Sequence, residues 1–236
     1  MRIILSSASP RRRELLGFIF DSFEIKPYDG PEQADFTTPG EYVMALSRDK
    51  AAGSAGIKSR IADDIPSVLS LSAGFDGRNE YNNGENGFSA DEELSIYIGS
   101  DTIVYADGSV LGKPADREDA YRMLSALSGR SHKVFTGVCL LAVSDKTSDP
   151  SGASPGPVAC RSFYCETDVY VSPLSDSEIE RYIDSGEPMD KAGAYGIQSL
   201  FSKHIERIDG DYFNVVGLPV SMLYDELKKM MPGADI

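Results

Sequence analysis

Three short stretches of this chain hold the residues whose types and spacing could do chemistry. The first is Ser6-Ser7-Ala8-Ser9-Pro10-Arg11-Arg12-Arg13, where small residues run straight into three arginines. Ser9 suits an N-cap and Pro10 a first helical position, so the arginines fall in the first turn of a helix. That end is already electropositive, because its N–H groups are unpaired and the helix dipole points there. Three cations are locally unfavourable unless an anion sits among them. Small Ser6, Ser7 and Ala8 let the backbone approach a phosphate, Ser9 adds a hydroxyl, and guanidinium groups bind phosphate oxygens in pairs. The alternative is a solvated cationic face that pairs with acids such as Glu14. The GxxxxGK[ST] phosphate loop is absent.

The second stretch, Ile98-Gly99-Ser100-Asp101-Thr102-Ile103-Val104, sets a carboxylate inside an apolar β-forming run. Burying it is costly unless it binds a metal, acts as a base, or pairs with a cation. Asp101 is therefore the first candidate for catalysis, with a structural Asp–Lys pair as the alternative. Gly112-Lys113-Pro114 follows, presenting a lysine in a turn. The third stretch, Glu187-Pro188-Met189-Asp190-Lys191-Ala192-Gly193-Ala194-Tyr195-Gly196-Ile197-Gln198, combines small residues with directional polar groups. It reads either as a ligand-contacting segment or as a well-packed turn. His132 and His204 have no ligand-like spacing and are expected to be ordinary structural or surface residues, which argues against zinc.

The elements that must position these groups follow from periodicity and turn residues. Arg2 to Leu5 predicts a buried strand, Pro10 to Phe20 a helix, Phe23 to Lys26 a second strand, and Pro39 to Ile57 a helix. Ile96 to Tyr105 predicts a strand that turns at Asp107-Gly108 into Val110-Leu111. Ala120, Met123, Leu124 and Leu127 mark a helix closed by Gly129. Val134 to Val143 and Phe163 to Val171 predict two long strands, and Ser175 to Ile183 and Pro219 to Met230 two further helices. The fold class is α/β, in a single domain over 1–236. Gly-, Asn- and Glu-rich residues 67–93 and the Ser-, Asp- and Pro-rich 144–157 read as mobile surface insertions.

The net charge of -14, from 37 acids against 23 bases, excludes a broad nucleic-acid surface, which needs many cations against phosphates. Phosphate chemistry is thereby confined to a local basic pocket. Cys139, Cys160 and Cys165 are odd in number and lack CxxC spacing, so buried free thiols and a cytoplasmic location are expected. Glu14 and Asp21 bracket the apolar residues after Arg13, too short a run for an export signal. No stretch approaches the length of a membrane span.

Together these segments resemble the Maf family of nucleotide pyrophosphatases. The matching residues are Leu5 to Leu16, Gly99-Ser100-Asp101-Thr102, Gly112-Lys113-Pro114, Leu127-Ser128-Gly129, Thr136-Gly137-Val138, Asp190 to Gln198, and Gly210 to Pro219, in order along nearly the whole chain. The resemblance implies an elongated mixed sheet with flanking helices, in two lobes around a cleft, similar to inosine-triphosphate pyrophosphatases. It implies hydrolysis of a nucleoside triphosphate to the monophosphate and pyrophosphate, with a divalent cation such as Mg²⁺ or Mn²⁺ and a possible homodimer. Carried over residue by residue, it assigns Ser7, Arg11, Lys50, Lys113 and Lys191 to phosphates, and Asp101 to catalysis and metal binding. Glu32 becomes a second metal carboxylate by position. Arg12, Thr102 and Gln198 look like the set of the dTTP/UTP branch. The alternatives are the same reaction on modified purine or 7-methylguanosine triphosphates, or a nucleotide-binding regulator of cell division with little catalysis.

Overall fold

The computed structural model describes residues 1–30, 38–57, 94–144 and 157–231. Glu32 and the expected insertion at 67–93 lie outside the described residues, as do residues 145–156 of the one expected at 144–157.

Strand β1 (Arg2–Leu5) is the buried run expected at the N-terminus. It lies parallel to β2 (Glu24–Ile25) on one side and to β3 (Leu94–Ala106) on the other. Asp107, at φ 49°, and Gly108, at φ 78°, then turn β3 into β4 (Ser109–Leu111), as the Asp-Gly pair predicts. Beyond β3 the sheet is antiparallel through β5 (Ser131–Ser144), β6 (Pro157–Val171) and β7 (Ile205–Asp209). The result is a seven-stranded mixed sheet in the order β2-β1-β3-β5-β6-β7, with β4 paired to β3. Both long strands exceed their predicted spans, because the residues before Val134 and before Phe163 still pair across the ladder.

Helix α1 (Pro10–Leu16) has Ser9 as its N-cap, as expected, but stops four residues before the predicted Phe20. Gly17 closes the last turn and the chain continues in tight turns through Phe20. Helix α2 (Pro39–Ala55) starts from a capping box in which Thr38 and Glu41 satisfy each other's backbone N–H groups. It ends on Gly56 in the left-handed conformation. Helices α3 (Arg117–Leu127), α4 (Asp176–Asp184), α5 (Tyr212–Val216) and α6 (Val220–Met230) complete the flanks.

Alternation along β3 decides what each face meets. Tyr97 belongs to the cluster under α2 with Ala51, Ala52, Cys139 and Leu141. Ile96 and Ile98 face the opposite way, into a cluster with Leu15 and Leu16 of α1 and Leu223 and Leu227 of α6. Val104, further along that face, joins the apolar sides of α3 and α4. Helix α2 lies unusually close to the sheet. A Cβ on Gly99 would sit 2.0 Å from the Ser47 carbonyl oxygen, and one on Gly137 2.2 Å from that of Val43. The two strand glycines are thus the bed of the helix.

The three cysteines are unlinked, with Cys139 and Cys165 buried and Cys160 half-buried; the sulfurs of Cys139 and Cys160 stand 3.6 Å apart. Both histidines are buried, and His132 Nε2 lies 2.7 Å from the Tyr195 hydroxyl. Among the described residues no helix is long and apolar enough to cross a membrane.

Candidate active site

A cleft of about 980 Å³ runs over the C-terminal end of β1, the middle of β3 and the Glu187–Gln198 segment. Ser7, Arg11, Arg12, Lys50, Asp101, Thr102, Lys113, Lys191 and Gln198 all line it. These residues come from five separate segments of the chain. Of the predicted site residues, only Glu32 lies outside the described residues.

The opening loop is built by its own side chains. Ser7 Oγ accepts from the Ser9 N–H at 3.2 Å and from Arg12 Nη1 at 3.2 Å, while Ser9 Oγ caps the helix at the Arg12 N–H. With two bonds accepted, the hydroxyl of Ser7 has its remaining capacity as a donor, the role a phosphate oxygen needs. The three arginines then separate. Arg13 is exposed. Arg11 makes no hydrogen bond or ion pair among the described residues, and its charge helps to lower the titration of Asp190. Arg12 is held on three sides, its Nε donating to the Gly217 carbonyl at 3.0 Å, Nη1 to Ser7 and Nη2 to Thr102 Oγ1 at 3.0 Å.

Asp101 stands on the α2 face of β3, one register step beyond Gly99. There Lys50 Nζ meets its Oδ1 at 2.5 Å, with side-chain exposures of 12% for the lysine and 11% for the aspartate. The alternative weighed from sequence, a buried Asp–Lys pair, is therefore present as geometry, and the lysine is one named for phosphate. The contact exists because Gly99 lets α2 descend far enough for Lys50 to reach the strand. Lys113 is exposed in the turn after β4 and makes no ion pair among the described residues.

Across the cleft, Lys191 is drawn into place by the Glu187 carbonyl at 2.8 Å and Asp190 Oδ1 at 2.6 Å, leaving its side chain 11% exposed. The Lys191 ammonium holds the Asp190 carboxyl below its ordinary value. The small residues of this segment are needed for close approach. Gly193 is at φ 67° and a Cβ there would meet Val104 at 2.8 Å; Ala194 takes φ 61° directly after it. The Glu187 carboxylate receives Ser199 Oγ, the Tyr182 hydroxyl and the Leu200 N–H, so it braces the segment. Gln198 is exposed at the rim.

Thr136, Asn214 and Gly217 fall in segments that carry the family resemblance but received no site role from sequence, although they complete the site from beneath. Thr136 is fully buried, with its hydroxyl 2.9 Å from Thr102 Oγ1 and 2.9 Å from the Asn214 carbonyl. The signal was a lone hydroxyl in the apolar run Val134-Phe135-Thr136-Gly137-Val138. Gly217, at φ 127°, sends its carbonyl to both Arg12 and Ser100.

Among the described residues no group of three or more His, Cys, Asp or Glu converges as a metal site. Among the described residues the cleft carboxylates are Asp29, Asp101, Glu187 and Asp190. Magnesium commonly binds one or two carboxylates and completes its shell with substrate phosphates and water, so a single buried Asp101 is a sufficient protein donor.

Residues 2–230 match the family described as Maf-like protein. A dTTP/UTP pyrophosphatase of Agathobacter rectalis is 43% identical over 235 residues, covering 100% of this chain and 99% of that protein. A dTTP/UTP pyrophosphatase of Carboxydothermus hydrogenoformans is 40% identical over 229 residues, covering 97% and 98%. The human probable bifunctional dTTP/UTP pyrophosphatase/methyltransferase protein is 38% identical over 232 residues, which cover 97% of this chain and 32% of that longer protein. With a full-length family match and relatives of this identity, the cleft and its cations belong to a member of the Maf-like protein family.

Proposed function

We propose that this chain hydrolyses dTTP and UTP to the nucleoside monophosphate and pyrophosphate. The observation that carries the reading is the convergence of Ser7, Arg11, Lys50, Asp101, Lys113 and Lys191 from distant segments onto one cleft. Relatives that span the whole chain bear the name of this activity.

Asp101 accepts the proton of the attacking water at the α-phosphorus, and Lys50 fixes the direction of its carboxylate. Arg11, Lys113 and Lys191 take up charge on the leaving pyrophosphate, and Ser7 donates to a phosphate oxygen. Such positioning and charge stabilisation supply most of the acceleration in phosphoryl chemistry. A divalent cation fits this donor set, held by Asp101 and the triphosphate itself, with Glu32 as a further carboxylate; when bound it neutralises phosphate charge. Arg12, Thr102 and Gln198 select the base.

The test is a panel of canonical and modified triphosphates with divalent metal, read by the identity of the released product. Pyrophosphate from dTTP and UTP is expected, with Asp101→Asn folded and slowed by at least about a hundredfold, as for loss of a general base. Orthophosphate as product, a strong preference for purines, or near-normal turnover by Asp101→Asn would overturn the assignment.

A further inference from the structure

We propose that Thr136 is a positioning residue for base selection, which turns the Thr102 hydroxyl into a fixed hydrogen-bond acceptor facing the cleft. The inference rests on reading the cleft as a dTTP/UTP site and deepens it. The carbonyl of Asn214 can only accept, so the single hydrogen of the Thr136 hydroxyl is committed to it at 2.9 Å. Thr136 must then accept in its 2.9 Å contact with Thr102, and Thr102 is the donor there. Arg12 Nη2 donates to Thr102 from the other side at 3.0 Å. One lone pair of Thr102 is left, and no hydrogen.

The direction of this relay is rigid because its far end is buried. Thr136 and Asn214 are both 0% exposed, and the Asn214 amide is tied to the Val134 carbonyl at 3.0 Å and Thr167 Oγ1 at 2.9 Å. Thr102 itself lines the cleft. A hydroxyl is normally ambivalent, able to donate to one base and accept from another. Held this way it accepts only, which matches the N3–H of uracil and thymine and opposes the bare N3 of cytosine. Both bases named for the relatives share that N–H. A site whose fixed polar group is left facing a like group discriminates more strongly than one that can reorient.

The experiment measures kcat/KM for UTP and CTP, by pyrophosphate release, in the wild type, Thr136→Ser and Thr136→Val, with thermal unfolding of each. The wild type should favour UTP, and Thr136→Ser should keep the UTP:CTP ratio within about twofold because its hydroxyl can rebuild the relay. Thr136→Val frees the Thr102 hydroxyl to rotate, and the ratio should fall about fivefold or more, the worth of one hydrogen bond in selectivity. A folded Thr136→Val with the wild-type ratio overturns the inference, as does a wild type that uses CTP as readily as UTP. Should Thr136→Val not fold, Thr102→Val decides, since removing the acceptor itself must lower the ratio and an unchanged ratio overturns the proposal. Absence of pyrophosphate release from any pyrimidine triphosphate would instead overturn the functional reading on which this one rests.

Discussion

Replacing Gly99 by alanine tests the way α2 is seated on the sheet. A methyl group there would lie 2.0 Å from the Ser47 carbonyl oxygen and 2.8 Å from the Ala51 backbone nitrogen. Ordinary contact begins near 3.4 Å, so the helix must retreat by about 1.4 Å, since the nearest atoms are backbone and cannot rotate away. Val43, Met44, Ala51 and Ala52, all on the buried face of α2, would lose part of their contact with the strands. Overpacking of this kind costs about 3 kcal/mol, a fall in Tm of roughly 6–12 °C for a chain of this length. The same retreat would stretch the 2.5 Å Lys50–Asp101 contact beyond hydrogen-bonding range. Misplacement of a reacting group by about 1 Å costs on the order of a hundredfold in rate, so kcat/KM for UTP should fall with stability. Gly112→Ala is the control for stability, because nothing lies within 4 Å of a Cβ there. Differential scanning calorimetry and steady-state hydrolysis read both effects. A Gly99→Ala protein within 2 °C of wild type on that control's scale, about 0.5–1 kcal/mol, would refute the seating argument.

Two other perturbations follow from groups outside the cleft. Burial lowers the pKa of His132 to about 4, against 6.5 in the unfolded chain, so the unfolded state binds the extra proton between those values. The stability contributed by the neutral imidazole is complete above pH 6.5 and is lost as pH falls towards 4, by about 3 kcal/mol at most; urea melts of wild type and His132→Gln should diverge in their slope across that window. Glu226, with a side chain 2% exposed, is paired with Arg161 and with Lys229. Arg161→Met should cost about 3 kcal/mol by chemical denaturation, because it strips one partner from a buried carboxylate, and Arg161→Met with Glu226→Leu should recover much of that loss.

Much of the fold was legible because the local signals agreed with one another. Ser9-Pro10, Asp107-Gly108 and the Ala120-Met123-Leu124-Leu127 stripe each mark an element by its own chemistry, and each element formed. Strand ends were less legible. Ser131 and His132 lie before the predicted Val134–Val143 strand, yet they pair with Tyr170 and Val169, because a ladder satisfies backbone groups whatever the side chain. The site was legible as a list of residues but not as a set of bonds. Lys50 sits 51 positions from Asp101, and nothing in either local sequence announces a contact made by a helix resting on a glycine. Thr136 and Asn214, though within the matched segments, received no site role for the same reason: their parts lie in the direction of hydrogen bonds across the sheet, which residue spacing does not encode.

The Lys50–Asp101 contact also alters how the cleft's charge is understood. From composition, an acidic chain of net charge -14 needs a local cationic pocket to hold a triphosphate. Among the described residues five cations line the cleft, with carboxylates interleaved: Lys50 is set against Asp101 and Lys191 against Asp190. These pairings subtract charge but fix the two lysines, whose long side chains would otherwise lose rotamer freedom when substrate binds. Arg12 is held by the neutral oxygens of Gly217, Ser7 and Thr102. Arg11 and Lys113 make no ion pair among the described residues and retain their full charge. On the proposed function, a triphosphate would meet two kinds of cation, some pre-oriented by acids and some without an ion pair among the described residues. On the proposed function, removing the Asp101 side chain altogether would alter Lys50 as well, so that loss would combine the base with the positioned lysine. The asparagine of Asp101→Asn keeps an oxygen for Lys50 to donate to, so the fall in turnover in that variant is to be assigned first to the missing base.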